Sequence, residues 1–379
     1  MKLIYLVNQR LPIEKAYGLQ VAKMCEAFVE LGIKVELVAP TRKDPIKQDF
    51  FDFYSIDRSF VFKKIFSPDV YLPGKLDRIA VSIKSFISGL VLVLYSIFRK
   101  IDFIYSRDEL PLYFLSFFRK NIFFEAHKFS KKRSRFYKRF KKVGLRVVVI
   151  SGGLKNEFIS FGFKPNNILV APDGVDLKEF DIDVFKEEAR RKLNLPQSKT
   201  LIGYVGMLKT MGMEKGIGLL IESLKFLPQD TLLVLVGGRK EDIDFYKKLS
   251  GNKNLSGRVL FVGFVKHSLV PLYLKAFDIL TMPFPPNQHY AFYMSPLKLF
   301  EYMASKRPVV ATDLPSIGEI LNEKNSVLVE PDNPLSLADG VELLLGNQNL
   351  AESLANQAFR DVKNHTWQKR AEVIFEFIK

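Results

Sequence analysis

The chain has 379 residues, of which 47% are hydrophobic and 26% charged, with one cysteine and a formal net charge of +16. This length exceeds one ordinary core and predicts two domains, while the composition excludes a disordered or collagen-like chain. The single cysteine, Cys25, excludes internal disulfides and fits a reducing compartment, so we expect the protein in the cytoplasm.

The first half alternates short apolar runs with helical periodicity. Strands are predicted at 3–7, 35–38, 103–105, 122–124 and 147–150, and a helix at 19–31. Such alternation is typical of a parallel sheet with helices on both faces. The apolar stretch 86–98 is shorter than the ~20 residues that a membrane-spanning helix needs. We interpret it as a buried helix, with a helix resting on a membrane as the alternative.

Positive charge is concentrated in this half, since residues 1–180 hold 32 lysines and arginines against 18 acidic residues. Its densest part, 128–142, mixes basic with aromatic residues. Such a surface attracts polyanions. We expect an anionic membrane surface as a partner, which would make the protein peripheral on the inner face of the membrane, and we expect no nucleic acid. A solvated helix face without a partner is the alternative. The residues assigned to this contact are Lys131, Lys132, Arg133, Arg135, Lys138 and Arg139.

A second series of strands and helices follows the polar segment 173–199. Strands are predicted at 201–205, 232–236, 259–262, 279–282 and 309–311, and successive helices fill 335–379. The predicted fold class is therefore α/β, with two doubly wound Rossmann-like domains facing across a cleft. We place the first domain at 1–177, with the helix 366–379 returning to it, and the second at 178–365.

A glycine- and lysine-rich segment follows the first strand of the second domain. It contains Gly206, Lys209 and Lys215 and leads into a helix at 217–227. Glycines and lysines at a strand-to-helix turn are typical of a diphosphate pocket. A surface loop with solvated lysines is equally compatible with this segment alone.

A second candidate anion site lies at the start of the helix 297–303. Ser295 is predicted as its N-cap and Pro296 as its first residue. The N–H groups of Leu297 and Lys298, with the Lys298 side chain, would then face an anion. Glu301 follows about one turn later and can reach a hydroxyl beside a phosphate. A capped helix without a ligand fits the local sequence as well.

Several motifs together resemble a known family. They are Ser-Pro-Leu-Lys-Leu-Phe-Glu-Tyr-Met-Ala-Ser-Lys-Arg-Pro-Val-Val-Ala-Thr-Asp-Leu-Pro at 295–315, Asp-Gly-Val-Asp at 173–176, Lys-Gly at 215–216 and Val-Gly-Gly at 236–238. The chain resembles the retaining nucleotide-sugar transferases of glycosyltransferase family 4, which have the GT-B fold, over almost its whole length. The resemblance implies a UDP- or GDP-sugar donor, a role in polysaccharide biosynthesis, and no cofactor or metal. Together with the basic surface of the first half, it leads us to expect a lipid-linked acceptor as a partner.

The resemblance also implies roles for residues of the second domain. Glu301 would contact the donor ribose, whereas the family's other glutamate falls on Tyr293 and is replaced. Lys215 would bind the diphosphate, and Lys209 would substitute for an arginine that falls on Met207. The donor-binding set carried over by these motifs is Gly206, Lys209, Lys215, Gly237, Gly263, Phe264, Val265, Tyr293, Ser295, Pro296, Leu297, Lys298 and Glu301, with the nucleobase held near Phe264 and Val265.

In the first domain the resemblance singles out His127 and Gly18. His127 follows the strand 122–124 and would contact the transferring sugar, while Gly18 would lie close to the donor phosphates. The residues assigned to catalysis are thus His127, Lys215 and Glu301.

Other classes of function lack their motifs or remain as alternatives. The first strand is not followed by Gly-x-Gly-x-x-Gly, and no Walker loop occurs in the sequence. Four histidines and one cysteine lie too far apart in the sequence for a zinc motif. A non-catalytic adaptor for nucleic acid or membranes, a nucleotide-sugar epimerase and a sugar-phosphate synthase remain open.

Overall fold

The computed structural model describes residues 1–69, 77–210 and 212–379. The chain forms two compact units, Met1–Pro172 with Trp367–Lys379, and Asp173–Thr366. The boundary thus follows Pro172, whereas the sequence analysis placed it after residue 177. The reason is local, because the Asp173 N–H donates to Ser295 Oγ at 2.8 Å and the Val175 N–H donates to the His365 carbonyl at 3.0 Å.

The first unit is built on a parallel sheet of seven strands in the order β3-β2-β1-β4-β5-β6-β7. The central strands are buried apolar runs, as expected when helices cover both faces of a sheet. Its strands are β1 (Lys2–Leu6), β2 (Lys34–Pro40), β3 (Val61–Ile65), β4 (Phe103–Ser106), β5 (Ile122–Ala126), β6 (Arg146–Val149) and β7 (Ile168–Val170). Its helices are α1 (Ala16–Glu30), α2 (Phe50–Tyr54), α3 (Asp77–Ile97), α4 (Glu109–Leu115), α5 (Ser134–Lys142) and α6 (Gly152–Ser160).

The second unit repeats this architecture with six parallel strands in the order β12-β11-β8-β13-β14-β15. They are β8 (Thr200–Val205), β11 (Thr231–Val236), β12 (Val259–Gly263), β13 (Ile279–Met282), β14 (Val309–Thr312) and β15 (Val327–Val329), with a short antiparallel hairpin of β9 (Lys209–Thr210) and β10 (Met213–Glu214). The helices are α7 (Leu177–Phe180), α8 (Lys186–Lys192), α9 (Ile217–Ser223), α10 (Lys240–Asn252), α11 (Val270–Ala276), α12 (Gln288–Phe292), α13 (Leu297–Ala304), α14 (Pro315–Gly318), α15 (Pro334–Gly346) and α16 (Gln348–Val362).

The last helix, α17 (Trp367–Ile378), belongs to the first unit and packs against α1. Trp367, Ala371, Ile374 and Ile378 supply its buried face. The predicted pair of Rossmann-like domains and the predicted return of the C-terminal helix are both confirmed.

The apolar stretch 86–98 is longer and more exposed than the sequence indicated. It belongs to α3, whose segment Ile79–Ile97 has the length and composition of a membrane-crossing helix. Only a third of the most apolar window of this segment is buried in the protein. Ile83, Phe86 and Leu94 each expose about half of their surface or more. The interpretation as a buried helix is therefore wrong, and α3 carries an apolar surface.

Candidate active site

Three glycines end three neighbouring strands of the second sheet. Gly206, Gly237 and Gly263 follow or close β8, β11 and β12, and all have positive φ, at 129°, 102° and 83°. The Gly206 N–H donates to the Val236 carbonyl at 2.8 Å, and the Gly237 N–H donates to the Gly263 carbonyl at 2.6 Å. A Cβ atom at Gly237 would lie 2.5 Å from the Gly206 carbonyl oxygen, so a side chain cannot fit there. The carboxyl edge of the sheet is thus bare backbone, open to close approach by a ligand.

Lys298 points its ammonium group at this edge. Its Nζ lies 3.5 Å from the centroid of the Tyr204 ring and 3.1 Å from the position that a Cβ atom at Gly206 would take. The side chain is buried, and its Nζ has no hydrogen-bond partner among the described residues. Burial, with repulsion from Lys215, holds its pKa well below the usual range. A buried cation without an acceptor is costly unless an anion joins it.

Lys215 adds a second positive charge to the same region. It precedes α9, and burial lowers its pKa to about 8. Its positive charge lowers the pKa values of Lys298 and His289, in each case as the second cause after burial. Within the described part of the chain Lys215 forms no ion pair. Glu301 offsets only part of the effect on Lys298, whose pKa stays well below its usual range. An anionic ligand beside the two lysines would raise both pKa values.

The predicted substitute lysine, Lys209, has other partners. It lies on the hairpin, with Nζ 3.6 Å from the Phe245 ring centroid and 3.6 Å from Glu214 Oε1. Its charge is thus already compensated. The structure brings Lys215 and Lys298 together, whereas the diphosphate contact assigned to Lys209 stays a prediction.

The start of α13 differs from the prediction. The helix begins at Leu297, and Pro296 is the N-cap with an extended backbone, φ −78° and ψ 126°. Ser295 does not cap the helix, because its hydroxyl accepts from the Asp173 N–H instead. The assignments of Ser295 as N-cap and Pro296 as first helical residue are therefore wrong. The Leu297 and Lys298 N–H groups still lie in the first turn, where N–H groups lack carbonyl partners within the helix.

Two further predicted donor contacts flank the start of α13, Tyr293 before it and Glu301 within the helix. Glu301 Oε1 is 3.4 Å from Nε2 of His267, a residue that the sequence did not single out. Tyr293 ends α12, and its hydroxyl accepts from Gln288 Nε2 at 2.7 Å. The role of Tyr293 in place of a family glutamate stays a prediction.

The predicted nucleobase segment turns its two side chains in different directions. Phe264 is 70% exposed, whereas Val265 packs against the core of the second unit. The exposed ring of Phe264, next to Gly263, is an apolar surface suited to stacking.

In the first unit, His127 belongs to a buried polar network at the end of β5. Its Nε2 lies 2.6 Å from Oε1 of Glu125, which also accepts from Gln20 Nε2 at 2.7 Å and Arg370 Nη2 at 2.9 Å. Tyr105 donates to the other Glu125 oxygen at 2.6 Å. Arg370 comes from the returning helix α17, which no local pattern near His127 could reveal.

This network fixes the protonation of both partners. Burial would raise the pKa of Glu125, but Arg370 and the hydrogen bond from His127 hold it well below the usual range. Burial, and then the nearby charge of Arg107, lowers the pKa of His127 to about 3. Since an ionised carboxylate only accepts, Nε2 carries the proton and Nδ1 is left as a hydrogen-bond acceptor. His127 is thus a neutral imidazole suited to receive a hydroxyl proton in a hydrogen bond.

Gly18 has a packing role within the first unit. It lies in α1, and a Cβ atom there would be 1.9 Å from the Tyr54 hydroxyl. The Tyr54 hydroxyl accepts a hydrogen bond from the Ile13 N–H and donates one to the Ile13 carbonyl, each at 2.8 Å. Packing against Tyr54 thus requires glycine at residue 18, and the predicted position of Gly18 close to the donor phosphates stays a prediction.

The basic cluster forms one face of α5 and the turn before it. Its aromatic partners Tyr137 and Phe140 are buried in the core, so they do not share the exposed face. Arg139 is also engaged, because its Nε donates to Ser116 Oγ at 3.0 Å and its guanidinium lies 3.9 Å from the Phe117 centroid. The exposed members of the cluster are Lys131, Lys132, Arg133, Arg135 and Lys138.

Two family models match the chain in succession. The model described as Glycosyltransferase Family 4 matches residues 18–179, and the one described as Glycosyl transferases group 1 matches residues 185–361. The two matches follow the two structural units closely.

Two curated relatives are each a little under 30% identical to this chain over part of its length. An uncharacterised glycosyltransferase of Methanocaldococcus jannaschii is 29% identical over 234 residues, which cover 60% of this chain and 58% of that protein. The lipopolysaccharide core biosynthesis mannosyltransferase LpsB of Rhizobium meliloti is 28% identical over 221 residues, which cover 55% and 59%. The chain thus spans less than two thirds of the length of these relatives.

The solved structure of Anabaena HepE in complex with UDP has the same fold. It matches with a TM-score of 0.76 over 99% of this chain and 99% of that chain, at 17% sequence identity. Two Rossmann-like units with a returning C-terminal helix define the GT-B class of fold. Within that class, the succession of family matches shows that the chain belongs to glycosyltransferase family 4.

Proposed function

We propose that the protein is a retaining glycosyltransferase that takes a sugar from a nucleoside-diphosphate donor. The observation that carries this proposal is the buried Lys298 ammonium, without a hydrogen-bond partner in the described residues, beside Lys215 and the bare backbone of Gly206. A diphosphate is an anion of the size and charge that two such lysines can bind. UDP is the first nucleotide to test, because HepE was solved with it.

The lysines would act where negative charge develops. As the bond from the sugar to the diphosphate breaks, the leaving group gains charge, and fixed positive groups stabilise it more in the transition state than in the bound donor. Lys215, Lys298 and the first N–H groups of α13 supply that charge without a metal. We assign no carboxylate as a nucleophile. His127 would accept a hydroxyl of the transferring sugar through Nδ1.

Loss of the Lys215 contact tests the diphosphate site. Lys215→Ala removes a charge-assisted hydrogen bond worth about 1.5–3 kcal/mol, so transfer should fall at least tenfold while the thermal unfolding temperature of the free protein is kept. Lys225→Ala is the matched control, because Lys225 is an exposed lysine of the same unit that pairs with Glu222. Transfer at the wild-type rate by Lys215→Ala would place the diphosphate elsewhere.

The donor is identified by a thermal-shift panel and by product analysis. UDP, GDP, ADP and their sugars are compared, because a ligand that binds only the native state raises the unfolding temperature. The preferred radiolabelled nucleotide sugar is then incubated with acceptors. Transfer of label to an acceptor, with retained anomeric configuration, supports the proposal; an epimerised donor or a sugar phosphate as product would refute it.

For the acceptor, we propose a lipid-linked saccharide on an anionic membrane, on the cytoplasmic side. The support is the apolar surface of α3 together with the basic face of α5. Exposed apolar side chains recur along α3 at helical spacing. Helix α4 packs against both α3 and α5. The apolar members are Ile79, Ile83, Phe86, Leu94 and Phe98, joined by Phe117 and Phe118 after α4. LpsB, a lipopolysaccharide core enzyme by name, is consistent with such an acceptor.

Vesicle flotation tests the membrane contact. The protein should float with phosphatidylglycerol vesicles at low salt and dissociate as salt screens the charges. Changing Lys131, Lys132 and Arg133 to Gln should weaken this binding, whereas the same change at three exposed cations of the second unit, Arg239, Lys240 and Lys248, should not. Equal flotation with neutral vesicles would contradict an electrostatic contact.

A further inference from the structure

His267 lies between two carboxylates of the second unit. It opens the short turn His267–Leu269 that follows β12. Its Nδ1 is 2.8 Å from Oε1 of Glu179 on α7, and its Nε2 is 3.4 Å from Oε1 of Glu301 on α13. One imidazole ring therefore connects three segments that are far apart in the sequence.

This geometry requires a charged ring. Carboxylates only accept hydrogen bonds, and a neutral imidazole has a single N–H, so both contacts can be made only by an imidazolium. Burial alone would lower the pKa of His267, but its hydrogen bonds to Glu179 and Glu301 raise it to about 10. The ring also packs edge-on against Phe180, with centroids 5.7 Å apart, which restricts its rotation. His267 is thus a fixed cation at neutral pH.

The consequence falls on Glu301. Its Oε1 faces His267, while its Oε2 receives no hydrogen bond within the described residues. Lys298, three residues earlier on the same helix, also interacts electrostatically with this carboxylate. The carboxylate is therefore oriented by a cation on one oxygen and left with acceptor capacity on the other. Glu179 contacts the other ring nitrogen of His267, at Nδ1.

Building on the proposed function, we propose that His267 is a positioning residue: bridged to Glu179, it holds the Glu301 carboxylate for the ribose hydroxyls of the nucleoside diphosphate. It thereby sets how strongly the protein distinguishes a ribose from a sugar without hydroxyls. Because the ribose contact is made equally in the ground and transition states, loss of His267 should raise the donor KM and leave kcat unchanged.

The test compares a nucleoside diphosphate with its 2′,3′-dideoxy analogue by calorimetry. The nucleotide is whichever of UDP, GDP and ADP binds the wild type most tightly. Hydrogen bonds to a carboxylate should favour the ribose form by about tenfold or more in the wild type. His267→Gln and Glu179→Gln should reduce this ratio by about threefold or more and leave the affinity for the dideoxy form unchanged. His267→Arg, which can donate to both carboxylates, should restore the ratio.

Ser268→Ala is the matched control, since Ser268 is an exposed neighbour in the same turn. Its ratio should equal that of the wild type. An unchanged ratio in His267→Gln, beside tight binding of the ribose form, would overturn this inference and leave the proposed function intact. Equal loss of affinity for both forms would also overturn it, since that is the effect of a general structural defect. A wild type that binds none of the three nucleotides would overturn both proposals.

Discussion

The ion pair between Arg370 and Glu125 should decide whether the returning helix stays docked. Arg370 Nη2 lies 2.9 Å from Glu125 Oε1, and the two side chains are 2% and 0% exposed. Arg370→Met keeps an apolar chain in place but leaves the carboxylate without its cation. Removal of one partner of a buried pair costs about 3–5 kcal/mol, because the other charge stays buried. The hydrogen bond from Arg370 Nε to the Pro172 carbonyl, at 2.9 Å, is lost as well.

The chain contains its own probe for this loss. Trp367, its single tryptophan, is 4% exposed and lies one turn before Arg370 on α17. Urea unfolding followed by tryptophan fluorescence therefore reports on the first unit. We expect Arg370→Met to lower the free energy of unfolding by about 3–5 kcal/mol. Lys369→Gln removes an exposed cation from the same helix and should leave the transition in place. Coincident transitions for the two variants would refute the reasoning.

Three further predictions concern charge and the donor. Folded His127, with a pKa of about 3, and folded Glu125 take up protons at lower pH than the unfolded chain does, whereas Asp108, whose pKa burial raises to about 6, takes up its proton earlier and offsets the His127 effect down to about pH 4. The stability of the first unit should therefore fall mainly below pH 4.5 in fluorescence-monitored urea titrations. Above pH 8 diphosphate binding must recharge Lys215, so its calorimetric Kd should rise by up to about tenfold per pH unit, and this dependence should be weaker in Lys215→Met. Glu301→Ala should cost about 1.5–3 kcal/mol of nucleoside diphosphate affinity by calorimetry, while Tyr293→Phe should change only the kinetic preference between donor sugars.

The sequence predicts the elements that are buried on both sides. The central strands of both sheets are continuous apolar runs, and each was placed within a few residues. The missed strands lie at sheet edges or outside the sheets. In β3, Lys63 and Lys64 are exposed, and β15 is three residues long, so neither produces an apolar run. An edge strand pairs with only one neighbouring strand and is less buried than a central strand. Its sequence therefore shows a weaker apolar pattern.

The candidate site shows the same limit in its polar contacts. Lys215 and Lys298 could be named from motifs, since each sits beside a strand end or a helix start. Ser295 could not be assigned correctly from the helix-start pattern alone, because an N-cap and a hydroxyl that accepts from Asp173 have the same local sequence. A capping rule describes a helix end in isolation, whereas here another backbone segment competes for the hydroxyl.

Two charge pairs join residues that are far apart in the sequence, so local sequence patterns cannot predict them. Arg370 is 245 residues from Glu125, and His267 is 88 residues from Glu179, and each pair places a cation against a carboxylate. A buried carboxylate without a cation would take up a proton, and could then no longer hold the imidazole of His127 in one tautomer. The fold therefore contributes to the chemistry by bringing distant charges together, and the variants at Arg370 and His267 test that contribution in each unit separately.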